Sequence, residues 1–129
     1  MEDMSAIVIE FVEEGKQNAD QLERHLIQLE KSPDSRELLA EAFRALHTIK
    51  GATSFLGLTK LCALAHAGES LLSRVRDGTL AATQDIISAL LSLVDAIRAV
   101  LSEIAATGGE GNGDYAVLVG TLTRLQKSA

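Results

Sequence analysis

The sequence predicts an all-α fold: an antiparallel, up-down four-helix bundle with an additional C-terminal fifth helix. Three observations predict it. Apolar residues recur at three- and four-residue steps through four long segments, as they do in helices that bury one face. The chain is 47% hydrophobic but has no Trp, one Tyr and three Phe, so its core must be aliphatic. It has a single Pro, and runs of β-branched residues, which favour strands, are scarce.

The first helix is expected over about residues 5–31, where Val8, Phe11, Val12, Ala19, Leu22, Leu26 and Leu29 form one face. Gly15 lies on that face, where it allows close packing or a slight bend. Ser32-Pro33-Asp34 ends the helix, since Pro cannot continue it. Asp34 or Ser35 can cap the second helix. Its inward stripe is Leu39, Ala42, Leu46, Ile49, Thr53 and Leu56, and Gly57 closes it.

The third helix should run over about residues 59–76, with Leu61, Leu64, Ala65, Gly68, Leu71, Leu72 and Val75 inward and Asp77-Gly78 at its end. Thr83 or Asp85 caps the fourth, which continues through Leu90, Leu93, Ile97 and Leu101 to Ile104. The glycine-rich stretch 107–113 reads as a flexible linker. It resembles a phosphate-binding loop only superficially, because no strand precedes it. Asp114 then caps a short fifth helix reaching Gln126. Four amphipathic helices with short connections imply the bundle. The whole chain, residues 1–129, is read as one domain: bundle about 5–106, linker 107–113, fifth helix about 114–126.

The net charge of −6 argues against nucleic acid as a partner. One cysteine, Cys62, excludes an intrachain disulfide framework and a cysteine zinc site, and suits a reducing cytosol. The N-terminal residues are acidic, with no apolar signal-like run. The most apolar stretch, residues 86–101, is broken by Asp95 and Arg98 and is too short to span a bilayer. A cytoplasmic, monomeric domain without membrane insertion is expected.

The stretch from His47 to Gly57 carries the chemistry. On a helical wheel the core stripe of the second helix is centred about 130° from His47, which therefore faces solvent. Ala40, Phe43, Arg44, Lys50, Gly51 and Ser54 share its side of the helix. Arg44 and Lys50 are cations one turn away on either side. Gly51 costs about 1 kcal/mol relative to Ala in a helix interior. Its presence beside an exposed imidazole points to a need for close approach. An imidazole so placed can accept a phosphoryl group and let a partner remove it; the alternative is an ordinary surface histidine.

On the third helix His66 and Glu69 share a face at i,i+3. A carboxylate that accepts from an imidazole N–H fixes the tautomer and makes the other nitrogen more basic. Glu69 can do this for His66 or for His47, and spacing leaves both open. His25 is read as a surface residue without a role, and Cys62 as a small, partly buried side chain.

The run Ala-Phe-Arg-Ala-Leu-His47-Thr-Ile-Lys50-Gly51, followed by Phe55-Leu-Gly-Leu58, resembles the signature of histidine phosphotransfer (HPt) domains, in particular those of CheA-type chemotaxis kinases. The later Ala-His66-Ala-Gly-Glu69-Ser-Leu-Leu is similar to the same family. The resemblance covers nearly the whole chain, including the acidic first helix and the fifth helix.

It implies His47 as the phosphoacceptor through Nε2, Lys50 neutralising phosphoryl oxygens, and Glu69 accepting from His47 Nδ1. It places His66 in the same hydrogen-bonding network. Ala40, Arg44, Gly51 and Ser54 would form the docking surface. Ser54 departs from the family pattern, which often has a second glycine there. No cofactor is implied for this chain. It has no nucleotide-binding glycine motif and should not phosphorylate itself. ATP and Mg²⁺ would come with a histidine kinase catalytic domain, and the phosphoryl group would pass to an Asp of a response-regulator receiver domain. The module would thus be part of a protein-histidine kinase system. The rival readings are a helical docking module without chemistry, and a metal site of His47, His66 and Glu69, which Lys50 would oppose.

Overall fold

The computed structural model describes residues 2–127, with side chains from Ala6 onward. It contains α1 (Glu2–Lys31), α2 (Arg36–Leu56), α3 (Thr59–Arg76), α4 (Gln84–Thr107) and α5 (Ala116–Lys127). There is no strand among the described residues. α1 begins three residues earlier than the periodicity suggests.

The caps resolve the sequence alternatives. Ser35, rather than Asp34, caps α2 by accepting from the Leu38 amide at 3.2 Å. Thr83, rather than Asp85, caps α4 by accepting from the Ile86 amide at 3.3 Å. Gly57 ends α2 at φ 71°, a left-handed conformation that a Cβ would strain.

α1 packs on α2 and α4, α2 on α3, and α3 on α4, while α5 lies against α3 and α4. The backbones of α1 and α3, and of α2 and α4, do not approach closely among the described residues, so the first four helices form a ring in chain order. α5 closes over the α3–α4 side and leaves α2 uncovered by it. The core is aliphatic, with Leu22, Leu26, Leu46, Ile49, Leu64, Leu71, Leu93 and Ile97 all buried. Thr53 is buried too, its hydroxyl donating to the Lys50 carbonyl at 2.6 Å. Leu56, read as core, is half-buried because it lines an open cleft between the ends of α1 and α2.

Close helix approach is set by glycine at two points. A Cβ on Gly68 would collide with the Leu93 side chain and press on Leu46, and one on Gly15 would stand 3.0 Å from Leu101. Gly15 thus serves packing, as its place on the buried face suggested.

Three further features differ from what the sequence suggests. Arg98, which looked only like an interruption in an apolar run, clamps α4 to α1. It donates to both carboxylate oxygens of Glu23 at 3.1 Å and to Asp20 at 2.6 Å. His25 is half-buried rather than exposed, with an enclosed, unpartnered Nδ1, because it flanks the Leu22–Leu26 face of α1. The glycine-rich stretch 107–113 is tied down. Glu110 accepts from the Lys60 and Leu61 amides at 3.2 and 2.7 Å, and Lys60 Nζ donates to the Gly111 and Gly113 carbonyls at 2.6 and 2.9 Å. The first turn of α3 has no cap from its own Leu58, and Glu110 supplies one from about 50 residues away.

Candidate functional site

The site lies where the middle of α2 faces the middle of α3. Core leucines on both helices bury their opposite faces, which fixes the outward direction of His47, Lys50 and Glu69. Glu69 sits at the centre, its side chain only 14% exposed. Its Oε2 accepts from Nδ1 of His47 at 3.0 Å, and its Oε1 accepts from Nζ of Lys50 at 2.6 Å. Both oxygens of one α3 carboxylate are therefore taken by two α2 side chains one turn apart.

Burial, the largest influence on Glu69, pushes its carboxyl pKa up. The hydrogen bonds from Lys50 and His47, with their charges, outweigh it, and the group lies below the ordinary carboxylate value. An ionised Glu69 can only accept, so the proton of this bond resides on Nδ1 of His47. In the neutral ring Nε2 then carries the lone pair. The His47 side chain is 63% exposed, so that lone pair is open to a reacting partner.

Two further side chains touch the group. Phe43, one turn before His47, stacks on the imidazole with ring centroids 6.0 Å apart and planes 11° apart. Arg76, at the end of α3, places its guanidinium 4.1 Å from the Phe43 centroid. In the sequence Phe43 shares the His47 side of α2 but nothing there gives it a part or connects it with Arg76. Their spacing was the available signal: Phe43 is at i−4 from His47, and Arg76 is two turns beyond Glu69 on the same face of α3.

The other expected residues divide. Gly51 is exposed, and a Cβ there would meet nothing within 4 Å. Its cost is therefore not imposed by internal packing. Arg44 is exposed and held by Glu41 at 2.7 Å. Ala40 is half-buried and Ser54 exposed. His66 is exposed and makes no hydrogen bond among the described residues, contrary to the network implied for it. Glu69, one turn along α3 from His66, is engaged instead by His47 and Lys50 from across the interface. That contact also settles which histidine Glu69 serves in this structure. Lys50, expected to meet phosphoryl oxygens, is engaged with Glu69 in the unmodified site. Among the described residues no three His, Cys, Asp or Glu side chains form a group that could hold a metal ion.

The family model described as the Hpt domain matches residues 6–100. The chain belongs to the Hpt family. It is 38% identical over 112 residues to the sensor histidine kinase CheAY of Helicobacter pylori, an alignment that covers 87% of this chain and 14% of that protein. With the chemotaxis protein CheA of Halobacterium salinarum it shares 40% identity over 98 residues, covering 76% of this chain and 15% of the relative. The chain thus spans only about a seventh of the length of these relatives.

Solved Hpt structures match closely. The phosphorylated P1 domain of CheA3, in complex with CheY6 from R. sphaeroides, superposes with a TM-score of 0.84 at 30% identity, covering 94% of this chain and 95% of that one. The solution structure of a histidine phosphotransfer domain of CheA gives a TM-score of 0.86 at 31% identity, covering 100% and 96%. This Hpt domain is therefore of the CheA type, an all-helical phosphotransfer module. None of its described helices is long and apolar enough to cross a membrane.

Proposed function

We propose that His47 is the residue that carries the phosphoryl group, and that the module relays it from a histidine kinase catalytic domain to a response-regulator receiver domain. The carrying observation is the His47–Glu69 hydrogen bond at 3.0 Å, which ties up Nδ1 and leaves Nε2 exposed. ATP and Mg²⁺ arrive with the kinase domain. The Nε2 lone pair forms a bond to the γ-phosphorus as the bond to the β–γ bridging oxygen breaks, and ADP leaves with that electron pair. Nδ1 keeps its proton, shared with Glu69, and the carboxylate balances the positive charge that the ring acquires. Lys50, one turn along, adds positive charge near the phosphoryl oxygens.

In the second step a carboxylate oxygen of the receiver's Asp attacks phosphorus, and the N–P electrons return to Nε2. The solved complex of a phosphorylated relative with CheY6 supports a receiver domain as the acceptor. Gly51, with open space around its Cα, and the neighbouring Ala40, Arg44 and Ser54 form the approach surface. A cytoplasmic setting fits a relay fed by ATP.

Incubation with a chemotaxis-type kinase catalytic domain and labelled ATP tests this reading. An acid-labile, alkali-stable label on the wild type, absent from folded His47→Gln, is expected. No label with several active kinases, on folded protein, would favour the docking module without chemistry.

A further inference from the structure

Glu69 holds the His47 ring at one atom, Nδ1. A ring pinned at one atom can still swing about that contact, and the side chain is 63% exposed. In-line attack needs the Nε2 lone pair aimed at phosphorus, so the plane of the ring matters as much as its anchor.

The plane is set by a stack. The Phe43 ring lies nearly parallel to the imidazole, 11° off, with centroids 6.0 Å apart, within the range of aromatic pairs. Phe43 is half-buried and packs against the core, so it is the firmer of the two rings. Its own outward movement is opposed by Arg76, whose guanidinium sits 4.1 Å from the ring centroid, a cation–π distance. α2 thus supplies the ring under His47, and α3 supplies both the carboxylate at its edge and the cation that braces that ring.

We propose that Phe43 and Arg76 are positioning residues for His47: Phe43 fixes the plane of the imidazole, and Arg76 acts through Phe43. The proposal rests on the reading of His47 as the phosphoacceptor. Neither residue exchanges atoms with the phosphoryl group. Their effect is to raise the fraction of time Nε2 points outward along one line.

The test uses the whole chain carrying Phe43→Leu, Phe43→Tyr, Arg76→Gln or Arg76→Lys. Leucine keeps apolar volume but removes the stack, and tyrosine keeps the ring. Glutamine keeps length without charge, and lysine restores a cation. Phe43→Leu and Arg76→Gln should lower the phosphorylation kcat about three- to tenfold at unchanged KM for the kinase domain, with Phe43→Tyr and Arg76→Lys near wild type. The His47 ring-proton NMR signals, shifted by the Phe43 ring current, should move towards free-histidine values in Phe43→Leu and part of the way in Arg76→Gln. A wild type labelled on His47, with Phe43→Leu and Arg76→Gln labelled at the same rate or altered only in KM, overturns the proposal and leaves the relay intact. A wild type that takes no label at His47 overturns the relay reading instead. The NMR signals still decide the stack in that case: ring-proton shifts in Arg76→Gln identical to wild type would overturn it.

Discussion

The Lys50 ammonium and Glu69 Oε1 stand 2.6 Å apart across the α2–α3 interface, and the other oxygen of that carboxylate accepts from His47. Lys50 is thus the partner that keeps a mostly buried Glu69 ionised, besides being a cation one turn from His47. Removing it leaves burial, which raises the Glu69 pKa, opposed only by His47. Lys50→Met should raise the Glu69 pKa, read by carboxyl-carbon NMR titration. Phosphorylation of His47 should slow about tenfold, the scale of losing one charge-assisted hydrogen bond. A Glu69 titration identical to wild type would show that Lys50 does not set its ionisation.

Stability carries a matching pH signature. The Glu69 pKa in the folded chain lies below the ordinary 4.5. A depressed folded pKa gives stability that is present above the unfolded value and is lost as pH falls through the folded one. Glu69→Gln cannot titrate, whereas every other carboxylate, Glu23 beside Arg98 included, is common to both proteins. The wild-type advantage in urea midpoint over Glu69→Gln should therefore shrink as pH falls below about 4.5. An advantage that does not change down to pH 3 would contradict the depressed pKa.

Two glycines of neighbouring helices should respond oppositely to the same methyl group. At Gly51 a Cβ meets nothing within 4 Å, so Gly51→Ala should stabilise the bundle by about 0.5–1 kcal/mol through helix propensity. The methyl would stand on the open surface one turn from His47, and transfer to a receiver domain should slow. At Gly68 the Cβ would run into Leu93, so Gly68→Ala should destabilise by about 1–3 kcal/mol. Thermal unfolding of both variants and a receiver-dependent dephosphorylation time course check these outcomes. Unimpaired transfer by Gly51→Ala would remove the case for close approach at that glycine.

How much was legible in the sequence depends on the range of each interaction. The helices, their apolar faces and the outward placement of His47 follow from three- and four-residue periodicity, a local property of the chain. The Lys50–Glu69 and His47–Glu69 contacts join positions 19 and 22 residues apart. Spacing within α3 allowed His66 as an equal claimant on Glu69, and only the packing of α2 on α3 decides between them. Arg98 shows the same limit: within α4 it interrupts an apolar run, and its partners Asp20 and Glu23 lie in α1. The stretch 107–113 misled most, because glycine content signals backbone freedom, whereas the tether comes from its one carboxylate and a lysine on α3.

Glu110 yields the last prediction. Its carboxylate accepts from the Lys60 and Leu61 amides, which are among the orphan donors of the first turn of α3, and the cap residue Leu58 has no side chain able to serve them. A negative charge at that end also favours the helix dipole. Glu110→Ala should cost about 1 kcal/mol, the usual scale of a lost N-cap. Hydrogen exchange should speed up at the Lys60 and Leu61 amides, and then in α5, whose approach to α3 runs through the tethered segment. Because Glu69 lies two turns further along α3, the His47–Glu69 contact should persist and phosphorylation should keep its wild-type rate. Faster exchange confined to α5, with Leu61 as protected as before, would mean that the carboxylate holds the loop without capping the helix.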